Sequence, residues 1–130
     1  MANVLVVDDD ETVRRAVHRM LASLGHEAFG VGDGADALAL LEHVRFALVI
    51  TDVSMAGGNG MELLVGIQRR DLEVPVVAIS GSGYMPANEI LAMARECGAA
   101  ATLVKPFSRE QLRDAIEPVL GNGRSLSQTP

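Results

Sequence analysis

The sequence has no tryptophan, one tyrosine and three phenylalanines, so 3% of its residues are aromatic and its core must be built from aliphatic side chains. Its single cysteine, Cys97, excludes an intrachain disulfide framework and a multi-cysteine metal site, and reads as a small apolar residue of the interior. Basic residues are in deficit, with 11 Lys and Arg against 17 Asp and Glu. The resulting net charge of -6 disfavours direct binding to nucleic acid or an anionic membrane, yet leaves the chain able to hold cations. A long hydrophobic run is also missing: Met1 to Val7 leads straight into Asp8, with no basic start and no bilayer-spanning stretch. The expected location is the cytoplasm. What is present is 130 residues, 48% hydrophobic and 22% charged, enough for one domain with a real core and too few for two.

Five short apolar, β-branched runs alternate with longer stretches of helical period, the pattern of βα units that wind a parallel sheet. The strands fall at Val4 to Val7, Glu27 to Val31, Ala47 to Thr51, Val76 to Ile79 and Ala101 to Val104. The first, third and fourth are nearly all apolar, as suits central strands covered on both faces, whereas the second mixes in polar and small residues as an edge strand does.

The first helix carries Val13, Ala16, Val17, Met20, Leu21 and Leu24 as one apolar stripe, with Asp10 to cap its start and Gly25 to end it. Its other face gathers Arg14, Arg15, His18 and Arg19, which reads either as a solvated face or as a docking surface for an acidic partner. The second helix starts near Asp33 and includes Leu38, Leu41 and Val44; the third spans Met61 to Arg70. The fourth opens after Pro86 and is expected to bury Ile90, Met93, Ala94 and Cys97 before Gly98 stops it. The fifth begins at Ser108, with Gln111 completing a capping box, and Pro118 is expected to kink it or end it early. Residues 1–120 form the expected domain, and 121–130 read as a flexible tail or truncated linker.

In an open parallel sheet ligands bind beyond the carboxyl ends of the strands. Here those ends carry Asp8-Asp9-Asp10, Asp52, Ser80 and Lys105-Pro106. Right-handed crossovers let the strands lie side by side and bring Asp8, Asp9, Asp52, Ser80 and Lys105 to one crevice. Crowded carboxylates either raise a pKa or demand a cation, and a hard divalent ion such as Mg²⁺ suits oxygen donors of this kind. Ser80 and Lys105 add a donor and an ammonium, the set wanted around a phosphoryl group, with Asp52 as the candidate nucleophile. For Asp10 the simpler reading is a helix cap. His18, His26 and His43 fall on helix faces or loops away from this crevice and read as surface residues.

Four pieces in order, Val4-Leu5-Val6-Val7-Asp8-Asp9, Thr51-Asp52-Val53-Ser54-Met55 with Gly60 and Leu63-Leu64, Ala78-Ile79-Ser80 and Val104-Lys105-Pro106-Phe107, resemble a response-regulator receiver domain of two-component signalling over residues 3 to 120. The resemblance implies a flavodoxin-like, doubly wound three-layer α/β sandwich with strand order 2-1-3-4-5, the first and fifth helices on one face and the other three on the opposite one. It implies that Asp52 accepts a phosphoryl group from a sensor histidine kinase, a phosphotransfer protein or a small phosphodonor, with no enzymatic activity beyond self-catalysed phosphotransfer and autodephosphorylation. Asp9, Asp52 and the backbone carbonyl of Ser54 would hold Mg²⁺, with Asp8 reaching it through water. Lys105 would pair with the phosphoryl oxygens, Ser80 would turn toward them, and the Lys105-Pro106 bond would be cis. The output would be a population shift on the face of the fourth helix, fifth strand and fifth helix, read by a downstream protein, by an output domain or by a second copy in a phosphorylation-dependent homodimer.

Three departures stand out. Ala56-Gly57-Gly58 follows Met55 where the family commonly has proline, Thr102 occupies the position of the usual aromatic switch residue, and the loop Gly81-Ser82-Gly83-Tyr84-Met85 is rich in glycine. Tyr84 could supply the missing aromatic movement or simply pack on the surface. Two rival readings remain. Asp8-Asp9-Asp10-Glu11-Thr12 fits the nucleophile motif of haloacid-dehalogenase-like phosphatases, with Asp8 as nucleophile and Asp10 as acid/base; the other rival is a receiver-like docking module that never turns over phosphate. Dinucleotide binding fails, because no glycine fingerprint follows the first strand.

Overall fold

The computed structural model describes residues 2–54, 59–81 and 86–128, with residue 59 and residues 122–128 described by backbone alone. The elements are β1 (Asn3–Val7), α1 (Glu11–Ser23), β2 (Glu27–Val31), α2 (Gly34–Leu41), β3 (Leu48–Asp52), α3 (Asn59–Arg69), β4 (Val76–Ser80), α4 (Ala87–Glu96), β5 (Ala101–Val104) and α5 (Arg109–Gln128). All neighbouring strands pair in parallel, in the order β2-β1-β3-β4-β5. This is the doubly wound α/β sandwich the sequence implies.

Strand alternation divides the interior in two. Leu5, Val7, Val49, Val76 and Ala78 pack against Ala37 and Leu41 of α2, Leu63, Leu64 and Ile67 of α3 and Ile90, Leu91 and Ala94 of α4. Val4, Val6, Leu48, Ile50, Val77 and Ile79 point the other way, onto Val17 and Leu21 of α1 and Leu112, Ile116 and Leu120 of α5. Each such Val, Leu or Ile contributes about 1.5–3 kcal/mol when fully buried, so the sheet is held from both sides mainly by aliphatic side chains, with Phe46 the buried aromatic on the α2–α4 side and Phe107 partly buried on the other.

Helix ends follow the local code. The Asp10 side chain accepts from the Thr12 amide at 2.9 Å, and Asp33 accepts from Asp36 at 2.8 Å. At α5 the Ser108 amide donates to Gln111 Oε1 at 2.8 Å, while the Gln111 amide donates back to Ser108 Oγ at 3.1 Å.

Several expectations need correction. β3 and β4 reach Asp52 and Ser80, so these residues close their strands instead of opening the loops. α2 stops at Leu41, and Val44 lies beyond it, exposed. Met93 is 47% exposed while Leu91 is buried: Leu91, next to Ile90, turns the buried stripe toward itself and leaves Met93 on the solvent margin. Cys97 is partly buried against the α2–α4 core. Of the two outcomes expected at Pro118, a kink or an early end, the early end does not occur: α5 continues to Gln128. The bond that proline cannot donate belongs to the carbonyl of Asp114, an exposed residue, where solvent can reach the unpaired group. The departures at Met55 to Gly58 and at Ser82 to Met85, Tyr84 included, lie outside the described residues.

Candidate functional site

Because β1, β3, β4 and β5 run parallel, their carboxyl ends share one edge of the sheet, and Asp8, Asp52, Ser80 and Lys105 arrive there together. Asp8 and Ser80 are fully buried, and Asp52 is 4% exposed. Lys105 is the pivot. Its Nζ donates to Asp8 Oδ2 at 2.9 Å and also to Asp52 Oδ2. The remaining oxygens are occupied as well: Asp8 Oδ1 accepts from the Asp10 amide at 2.9 Å, and Asp52 Oδ1 accepts from the Ser54 amide at 2.6 Å and the Ser54 hydroxyl at 2.7 Å. The Lys105 amide donates to the Ser80 carbonyl at 2.8 Å and ties the end of β5 to that of β4. The Lys105-Pro106 peptide is cis.

These contacts set different proton affinities on the two acids. Burial pushes Asp8 above the ordinary carboxylate range, and the Asp10 amide and Lys105 only partly offset it. Burial acts the same way on Asp52, but hydrogen bonds from Lys105 and Ser54 outweigh it and hold its carboxyl below that range. Burial would lower Lys105; its bonds to Asp52 and Asp8 prevail and raise it. Lys105 thus bridges an Asp52 whose ionised form is favoured and an Asp8 that binds its proton more tightly than a free carboxylate does.

Other expected residues sit differently. Asp9 is exposed, and no three His, Cys, Asp or Glu side chains among the described residues cluster as metal ligands. Asp8 and Asp52 supply the buried acidic oxygens. With both acids ionised, one ammonium between two carboxylates leaves the crevice one negative charge in excess, and every donor is oxygen, which fits a hard cation such as Mg²⁺. The Ser80 hydroxyl donates to the Gly81 carbonyl at 3.2 Å, not to a carboxylate. Thr102 lies inside β5, opposite Ala78, and its hydroxyl accepts from Arg95 of α4 at 2.9 Å. Asp10 is committed to capping α1, and Asp8 is fully buried with both oxygens bonded, so the phosphatase-like motif is explained by helix capping and burial.

Two features escaped the sequence reading. Ser54 grips Asp52 through both its amide and its hydroxyl. The guanidinium of Arg14, expected on a solvated face or a docking surface, reaches back to the Asp8 carbonyl at 2.5 Å. The signal for the latter was in β2 and the residue after it: Gly30 and Gly32 leave the lane through which Arg14 runs, and a Cβ at residue 30 would stand 3.2 Å from Arg14 Cδ.

Comparison with known proteins agrees with this geometry. The model of the response regulator receiver domain matches residues 4–117. The chain is similar to the response regulator protein FleR of Pseudomonas aeruginosa, 38% identical over 115 residues that cover 88% of this chain and 24% of FleR. It is similar to a chemotaxis protein CheY homologue of Campylobacter jejuni, 33% identical over 124 residues that cover 92% of this chain and 93% of the homologue. The crystal structure of NtrX from Brucella abortus superimposes with a TM-score of 0.84 at 34% identity, over 97% of this chain and 29% of NtrX. The chain thus spans about a quarter of two of these proteins and nearly all of the third. A lysine-bridged pair of buried aspartates at the carboxyl edge of a 2-1-3-4-5 sheet, in a sequence matched along almost its whole length, places the chain in the response regulator receiver family, the phosphorylation-dependent switches of two-component signalling.

Proposed function

We propose that Asp52 is the phosphoacceptor of this switch. The observation that carries the assignment is the buried bridge of Lys105 between Asp52 and Asp8, which keeps Asp52 ionised at neutral pH. A carboxylate oxygen of Asp52 attacks phosphorus, a P–O bond forms, and the bond from phosphorus to the donor's imidazole nitrogen breaks with its electron pair returning to the imidazole. Lys105 then follows the charge from carboxylate to phosphoryl oxygen. Ser80 leaves the Gly81 carbonyl and donates to the same group. In dephosphorylation water attacks phosphorus and Asp52 departs as carboxylate; the Ser54 hydroxyl, already on Asp52 Oδ1, bears on that rate.

Asp8, Asp9, Asp52 and the Ser54 carbonyl would hold Mg²⁺, which supplies charge neutralisation for the phosphoryl oxygens. Coupling runs outward through named contacts. The Ser80 carbonyl accepts from the Lys105 amide, β5 carries the displacement to Thr102, and Thr102 passes it to Arg95 on α4. The α4–β5–α5 face is the output surface.

The donor is a sensor histidine kinase or phosphotransfer protein. The reader is a downstream protein, an output domain or a second copy of the chain, and residues 121–130, helical as far as Gln128, serve as tail or linker. Among the described residues no helix is long and apolar enough to cross a membrane, in keeping with a cytoplasmic switch. Turnover is confined to its own phosphate. The test is incubation with acetyl phosphate and Mg²⁺ followed by intact-mass measurement. The wild type gains one hydroxylamine-labile phosphoryl group and Asp52→Asn gains none; a phosphorylated Asp52→Asn protein would place the acceptor elsewhere.

A further inference from the structure

We propose that the groove between α1 and β2 is a docking site for an extended acidic segment of a partner protein, laid along the free edge of β2. The groove has a volume of about 350 Å³, with a floor of Val6, Ala28 and Gly30 and a wall of Arg15, His18 and Arg19. It exists because β2 is small on that face: Ala28 and Gly30 lie beside Val4 and Val6 of β1, where larger residues would fill the space under α1.

Three observations select the occupant. The first is charge. In a chain of net charge -6, α1 concentrates Arg14, Arg15, His18 and Arg19 on its polar face, and only Glu11 of the groove opposes them. Arg14 is spent on the Asp8 carbonyl and Arg15 on an exposed pair with Glu11, while His18 and Arg19 make no hydrogen bond or ion pair among the described residues. Such a patch recruits carboxylates.

The second is the strand edge. Among the described residues β2 pairs with β1 alone, which leaves its outer edge open to another strand, and none of its residues is fully buried. The third is the opposite face of the same strand, where Phe29 is 47% exposed and meets Phe46 edge-on at a centroid distance of 5.6 Å. An added strand with alternating character would place carboxylates beneath α1 and apolar side chains beside Phe29. This surface lies across the sheet from the α4–β5–α5 face, at the other end of the strand order, so the chain can hold two partners at once. Arg14 joins it to the phosphorylation site through the Asp8 carbonyl.

The test is an amide NMR titration of the full chain with an acetylated, amidated Glu-Val alternating hexapeptide, alongside a Lys-Val hexapeptide and pyrophosphate. Expected are shifts confined to residues 11–19 and 27–32 with the acidic peptide, slowed amide exchange in β2, and no response to the basic one. Arg15→Gln with Arg19→Gln, both on the surface, should weaken binding by about tenfold, and added salt should weaken it further. Asp52→Asn should bind the peptide like wild type, so the outcome is separable from the phosphoacceptor assignment. The proposal falls if the acidic peptide causes no shifts, if the double variant binds equally well, or if shifts centre on α4 and α5. Equal shifts with pyrophosphate would make this a small-anion site, and the same shifts on concentration without peptide would make a second copy the occupant; either overturns it.

Discussion

Residue 60 must be glycine because of Asp52: a Cβ at Gly60 would fall 2.0 Å from the Asp52 carbonyl oxygen and 2.6 Å from Val53 Cα. The first turn of α3 is seated on the end of β3, and the backbone that presents Asp52 is braced by the absence of a side chain.

Gly60→Ala is therefore expected to move backbone at the phosphorylation site. The overpacking should cost about 2–3 kcal/mol in urea unfolding, and phosphate uptake from acetyl phosphate should slow with it. A variant as stable as wild type would mean that α3 shifts freely on β3.

Replacing Lys105 by methionine leaves the buried acids Asp8 and Asp52 facing each other without their cation. The expected loss at neutral pH is about 3 kcal/mol, near the low end for a broken buried pair because the Lys105 side chain is 21% exposed. Excess Mg²⁺ should restore part of it, which denaturation with and without the ion will register.

The two acids should respond to pH with opposite signs. Asp8 binds its proton more tightly folded than unfolded, so its ionisation costs stability once the pH exceeds its raised value. Asp8→Asn should melt above wild type at pH 7, with the gap closing as the pH falls into the ordinary carboxylate range. Asp52 is held below that range, so it stabilises the fold at neutral pH and loses this effect as the pH falls through its lowered value. Asp52→Asn should melt below wild type at pH 7, and the two curves should converge in acid. Thermal melts across this window decide both signs.

Thr102→Val removes the acceptor for Arg95 on a partly exposed surface and should cost less than about 1 kcal/mol. Its larger effect is expected on coupling. The amide shifts of Ala87–Glu96 on adding beryllofluoride should shrink, while those at Asp52 and Lys105 persist. Undiminished α4 shifts would rule out the Thr102–Arg95 contact as the route.

Periodicity made the strands and the α1 stripe legible except at Ala16, which is exposed, and the Ser108–Gln111 box could be read from two residues because its partners are three apart in the chain. Asp52, Ser80 and Lys105 were legible as a set because parallel strands must end on a common edge. Contacts that depend on space left by another element were not. The reach of Arg14 to the Asp8 carbonyl is decided by Gly30 and Gly32, and the exposure of Met93 by the competing claim of Leu91. The continuation of α5 past Pro118 likewise turned on which side of the helix faces water.

Leu5 and Val6 are bonded neighbours, yet one packs with α2, α3 and α4 and the other with α1 and α5. The sheet insulates the two interiors from each other. Substitutions at adjacent positions of β1 should then be energetically additive, while Val6 and Leu21, far apart in the chain, share one lattice of contacts and must change in concert. The two faces of one sheet thus carry separate cores, and the strand ends that hold Asp52 and Lys105 are where a change in either layer is felt at the same site.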